Sequence, residues 1–190
     1  MNLSIRNMAE AVVLSLVGAA LFAGFFRLNE LIFSALEHSQ GVNWIFLPAG
    51  FRVLLVLGMG LPGCLGIFLA TLYVDQTHLL HGHAMLIFLT GIVSGFTPWV
   101  VLKTMSHKGL LSADLKNLTY QQLLNFTLFY AAANAVLHQL LWALINVHRH
   151  QMMVELWPMF VGDLLGAVLM LYAFKGLVHL LKPTSNSRSL

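Results

Sequence analysis

Two ionisable side chains stand where an apolar chain accommodates them least. Arg52 and Asp163 are each the lone charge inside a long apolar segment. A charge near the centre of a bilayer costs roughly 2.5–3.5 kcal/mol on insertion scales. Such residues face a bundle interior or a water-filled cavity and find a partner there. Arg52 lies four positions after Pro48, and proline in a first helical turn fixes a helix start. That sets Arg52 about two turns below one membrane boundary. Asp163 lies six positions after Trp157, a residue type that favours the same boundary. At matching depth an Arg–carboxylate bond is available, or one or both groups face a polar cavity that receives a ligand. The plainer alternatives are an ion pair that only fixes helix packing and an Arg52 that snorkels outward.

Asn134 and His138 are spaced i, i+4 and so share one face of a helix, with His138 near the depth of the two charges. A lone membrane histidine is more often a hydrogen-bonding packing residue than a ligand. Its depth nevertheless groups it with Arg52, Asp163 and Asn134 as one candidate site. Of nine histidines, His38, His78, His81, His83, His148 and His150 fall on the outer side. The spacing His78-x-x-His81-x-His83, with His148-x-His150 on another loop, offers imidazoles for Zn, Cu or Ni. The chain supplies no second cysteine and no fixed scaffold for them, so polar loop residues are the preferred reading. No metal or other cofactor is expected. Cys64, the single cysteine, sits in an apolar span where it is inert and cannot form an internal disulfide.

These residues are carried by an integral membrane chain. Of its 190 residues 58% are hydrophobic and 9% charged, against about 25% charged in soluble domains, and the mean hydropathy is +0.81. One membrane domain over residues 1–183 is expected, followed by a polar, disordered tail at 184–190. The net charge of +3 is dispersed and excludes a nucleic-acid partner. No Gly-rich phosphate loop, G-x-S-x-G elbow, H-E-x-x-H or catalytic carboxylate pair is present, so no enzyme is expected.

The apolar runs are Met8–Phe26, Val42–Leu57, Leu61–Val74, Ala84–Leu102, Leu123–Val147 and Trp157–Phe174. The second and third are short, and the intervening Gly58–Gly63 favours two short helices joined by a Gly/Pro turn. A partly re-entrant hairpin is the alternative. The expected fold is all-α, a polytopic bundle of about six transmembrane helices. With both termini inside, Arg6, Lys103, Lys108, Lys116, Lys175, Lys182 and Arg188 are internal, while Arg27 and Arg149 are external. This obeys the positive-inside rule. Leu28, Leu31, Ile32, Ala35 and Leu36 recur at helical spacing opposite Asn29, Glu30, Ser34 and Glu37, which predicts an amphipathic helix at the outer interface. Thr119 and Gln122 form a capping box for the fifth span. The patterns Ser15-xxx-Ala19-xxx-Ala23, Gly91-xxx-Gly95 and Gly162-xxx-Gly166 are small-residue faces for helix contact, either within the bundle or with a partner.

Trp44-Ile45-Phe46-Leu47-Pro48-Ala49-Gly50, followed by Gly58-x-Gly60-x-Pro62-Gly63-x-x-Gly66, resembles the membrane-associated sensor domain family, type one. Trp157 and Gly162-Asp163-x-x-Gly166 match that family's last helix. The resemblance implies a bacterial inner membrane and a role in perceiving a signal. It implies structural roles for Trp44, Pro48, Gly50, Pro62, Gly63, Trp157, Gly162 and Gly166, and a site role for Asp163. Arg52 departs from the pattern. The chain is also shorter than the family usually is and ends without an output domain, so a signal is expected to pass to a separate partner. The leading expectation is a sensor or regulatory protein of the bacterial inner membrane, with both termini cytoplasmic. It binds an unidentified small molecule or partner at Arg52, Asp163, Asn134 and His138 and acts on a membrane or cytoplasmic protein. Two alternatives stay open: a solute-capture subunit of an uptake transporter, like those of energy-coupling-factor systems, and a structural or assembly subunit.

Overall fold

The apolar runs fold as helices that mostly outlast them. A computed structural model describes residues 5–39, 41–76, 84–111, 118–145 and 152–181. Among these are six α-helices: α1 (Ile5–Phe33), α2 (Leu47–Met59), α3 (Leu61–Val74), α4 (Ala84–His107), α5 (Tyr120–Leu144) and α6 (Met152–Leu181). The fold is all-α apart from a small antiparallel hairpin, β1 (Glu37–Ser39) with β2 (Val42–Asn43). Four helices, α1, α4, α5 and α6, are long and apolar enough to cross a membrane.

The helices close a ring. α1 packs on α3, α3 on α4, α4 on α5, α5 on α6, α6 on α2, and α2 on α1. α2 also touches α3, α4 and α5, so it reaches every other helix and forms the centre of the bundle. Its Pro48, Ala49, Gly50, Arg52, Val53, Leu55 and Val56 are accordingly buried. α1 is the peripheral member, with Val12, Val13, Leu16 and Val17 exposed. In a bilayer such a surface meets lipid without penalty.

Local chemistry sets the ends of these helices. Pro48 lies in the first turn of α2, where its missing N–H costs nothing. The preceding Phe46 offers no side-chain cap; the amide oxygen of Asn29 on α1 accepts instead from the Leu47 N–H at 2.9 Å. α2 and α3 are separated by Gly60 alone, at φ 61, with Pro62 in the first turn of α3. The Thr119 hydroxyl accepts from the Gln122 N–H at 3.2 Å and the Gln122 side chain accepts from the Thr119 N–H at 3.1 Å, a reciprocal cap for α5.

Close approach explains the small residues, and each stripe is used within the chain. A Cβ on Gly162 would meet the carbonyl oxygen of Asn43, and one on Gly166 that of Phe46. The strand β2 and the entry to α2 therefore lie directly on α6, where the Phe46 N–H donates to the Gly162 carbonyl at 3.1 Å. A Cβ on Gly50 would come within 2.7 Å of Ala167 Cα, so α2 is pressed to the same surface. Gly63 faces the Leu55 carbonyl, Gly66 the Ser15 carbonyl, and Gly95 the Cys64 carbonyl. Trp44 and Trp157 are exposed near one end of the bundle.

Three expectations need correction. Residues 28–33 do not form a separate interfacial helix but complete α1, and of the polar set Asn29 is buried, at 3% exposed, while Glu30, Ser34 and Glu37 are exposed. Asn29 turns inward because its amide oxygen caps α2. The run from Val42 opens as a strand, with helix only from Leu47. The helix of the run Ala84–Leu102 does not end with it but continues to His107, and Lys103 Nζ lies 5.8 Å from the Trp99 ring one turn back.

Candidate functional site

Arg52 is carried inward by α2, the central helix, and is 5% exposed. Its guanidinium carbon lies 5.3 Å from the Phe22 ring centroid and 5.3 Å from that of Phe46. Desolvated cation–aromatic contacts of this kind are worth about 2 kcal/mol or more each. Nη1 donates to the Tyr130 hydroxyl at 3.4 Å and Nη2 to the Ser94 hydroxyl at 3.3 Å, both long, and Nε has no protein partner. The cation is thus held by neutral groups.

Asp163, on α6, is 2% exposed. Its carboxylate accepts from the Asn134 side-chain amide of α5. Among the described residues the pair within ion-pair distance is Arg27–Glu30 at 2.8 Å. Arg52 and Asp163 are therefore not in direct contact, which corrects the expectation of an Arg–carboxylate bond. The physical reason is that α4 and α5 interpose their own polar groups, and each charge takes the neutral partner on the helix beside it.

A relay links those neutral groups. His138 Nδ1 lies 3.0 Å from the Asn134 carbonyl oxygen, and Nε2 lies 3.1 Å from the Ser94 hydroxyl. A carbonyl only accepts, so Nδ1 carries the proton. In the neutral ring Nε2 then accepts from Ser94, whose oxygen receives Arg52 Nη2. Arg52, Ser94 and His138 thereby form a chain with every donor facing an acceptor, across α2, α4 and α5. The Trp142 ring stands edge-on to His138 at 5.9 Å, fixing the imidazole plane.

Arg52, Ser94, His138 and Asp163 line one cavity of about 140 Å³, together with Asn43, Thr90, Trp142 and Met159. Gly41 and Asn43 of the hairpin and Val74 and Asp75 at the end of α3 line it as well. A chamber of this size takes a few waters or one small solute. Its walls present the Arg52 cation, the carboxyl residues Asp163 and Asp75, aromatic rings and hydroxyls. Ser94 and His138 have the hydrogen-bond geometry of a hydroxyl with its base, and the same hydroxyl oxygen also receives Arg52 Nη2. The arrangement suits recognition of a polar molecule.

All four sequence candidates thus surround or adjoin one space: Arg52, His138 and Asp163 line it, and Asn134 holds Asp163 from behind. Gln139 is also buried, with its amide 3.8 Å from the Met159 sulfur. Sequence reasoning missed Ser94, Tyr130 and the buried Glu155. Tyr130 precedes Asn134 by four residues, so the same i, i+4 face that joined Asn134 to His138 carried the signal. His38 is exposed, with its ring edge-on to Trp44 at 5.6 Å. His78, His81, His83, His148 and His150 lie outside the described residues. Compared with family models, curated proteins and solved structures, the chain matches none.

Proposed function

We propose that the protein is a receptor-like regulatory subunit of a bacterial inner membrane, crossing it six times with both termini in the cytoplasm. It binds a small polar molecule in the chamber and conveys occupancy to a separate protein. The observation that carries this reading is Arg52: a buried cation, in contact with no carboxylate, with an open donor and a cavity beside it. A purely structural arginine would be expected to find its anion, since an unpaired charge is costly in the membrane. The motif resemblance to sensor domains points the same way. The relay supplies a means of transmission, because a ligand that draws Arg52 away from Ser94 alters contacts among α2, α4 and α5 together. Such coupling requires different affinity for two arrangements of these helices.

A second reading, solute capture for an uptake transporter, uses the same chamber. It is favoured by one observation: α1 is only 17% buried over its most apolar window, against 39–44% in the other long helices, which leaves a broad face for a transmembrane partner. Purification of the full chain in mild detergent, with mass spectrometry of co-purifying proteins, tests both. A partner whose recovery changes with Ser94→Ala supports the receptor reading. A transport ATPase and its coupling subunit support uptake. A stoichiometric partner of any other kind, indifferent to Ser94→Ala and Arg52→Gln, contradicts both and favours an assembly role.

A further inference from the structure

Arg52 and Asp163 give the chamber two poles of opposite charge, and the pair of them specifies its occupant. Arg52 presents an open Nε donor, and its two other bonds are long ones to neutral hydroxyls. Asp163 receives one amide donor, and a carboxylate has room for several more acceptor bonds. Both line the same space without forming an ion pair. A lone anion would satisfy Arg52 and sit against the Asp163 charge. A lone cation would satisfy Asp163 and sit against Arg52. Water would leave both charges with only partial compensation. A molecule carrying both signs satisfies both poles and adds no net charge to the chamber, which Asp75 also lines.

On this basis, and resting on the ligand-binding reading above, we propose that the chamber binds a small zwitterion of the amino-acid class. Its carboxylate lies on Arg52 and its ammonium on Asp163. The volume of about 140 Å³ restricts the side chain to hydrogen or a small group. Trp142 and Phe46 on the walls exclude bulk and shield the two charged contacts, which strengthens them relative to contacts in water. Asn134 is a positioning residue, holding the carboxylate of Asp163 toward the space. Three other features of the molecule carry less. The wide apolar groove bounded by α1, α2, α5 and α6 has nothing to select an occupant. The exposed face of α1 and the buried Glu155 likewise specify no ligand chemistry.

The experiment uses the unaltered full chain in lipid nanodiscs, with tryptophan fluorescence and calorimetry as readouts, since Trp142 lines the chamber. The probes are glycine, L-alanine, acetate and methylammonium. Glycine or alanine is expected to bind saturably. Acetate and methylammonium, each lacking one charged contact, should bind roughly tenfold to hundredfold more weakly. If acetate or methylammonium binds as tightly as the amino acids, the zwitterion proposal falls and the ligand-binding reading stands. If none of the four binds, both fall. Arg52→Lys keeps a positive charge in place and should weaken glycine more than methylammonium. Equal weakening of the two would contradict the assigned polarity.

Discussion

The side-chain amide of Asn134 donates to the carboxylate of Asp163, and the backbone carbonyl of the same residue meets His138 Nδ1 at 3.0 Å. One residue of α5 thus fixes both the acid of α6 and the imidazole that leads through Ser94 to Arg52. The membrane-buried charges communicate through neutral intermediaries, and this decides how the site responds to substitution.

Because no Arg52–Asp163 bond exists to be re-formed, Arg52→Asp combined with Asp163→Arg should not recover the folded protein lost in either single variant. Asn134→Leu should cost about 1–3 kcal/mol or more, the penalty for stripping a buried acid of its donor. Membrane-inserted yield and thermal unfolding in detergent measure both. Full recovery by the charge swap would mean that the two groups meet.

Gly162→Ala and Gly166→Ala should each remove most of the folded protein, since the added methyl meets the carbonyl of Asn43 or Phe46 rather than a flexible side chain. Overpacking of this kind costs about 1–3 kcal/mol or more. Gly24→Ala in α1 is the control: nothing lies within 4 Å of its added Cβ, so it should be neutral or slightly stabilising. Fluorescence-detected size exclusion of the three variants gives the comparison.

Asn29→Ala should lower the unfolding temperature, corresponding to about 1 kcal/mol for a lost cap. Asn29→Asp retains the acceptor oxygen and should recover part of the loss. An Asn29→Ala variant as stable as the parent would mean that the Leu47 N–H finds another acceptor.

α2 and α3 have 13 and 14 residues, about 20 Å each at 1.5 Å per residue, against a hydrocarbon core of about 30 Å. Either depth of penetration returns the chain to the side it left. Leu61, 48% exposed beside the turn, separates the cases. In a Cys64→Ala background, Leu61→Cys should react with an impermeant thiol reagent from the cytoplasmic side. No reaction from either side would indicate a turn held within the membrane.

The helices and the neighbourhood of the site were legible because membranes make charge conspicuous. Arg52 and Asp163 stand out against apolar runs, and the i, i+4 spacing of Asn134 and His138 set them on one face. The partners were not legible. Ser94 reads like any helical hydroxyl, and those of Ser15, Thr71, Thr97 and Thr127 indeed return to the backbone four residues back. Asn29 was misplaced because the amphipathic pattern was read as polar face to water, whereas in this fold its amide is needed at the start of α2. The hairpin at 37–43 was missed because strands of three and two residues are too short to show alternation.

Native mass spectrometry of the full chain released from nanodiscs tests the central claim most directly. The unaltered protein should carry one bound small polar molecule, and Arg52→Gln, verified as folded, should lose it. An unaltered protein at its bare mass would contradict the account, as would an adduct that survives Arg52→Gln.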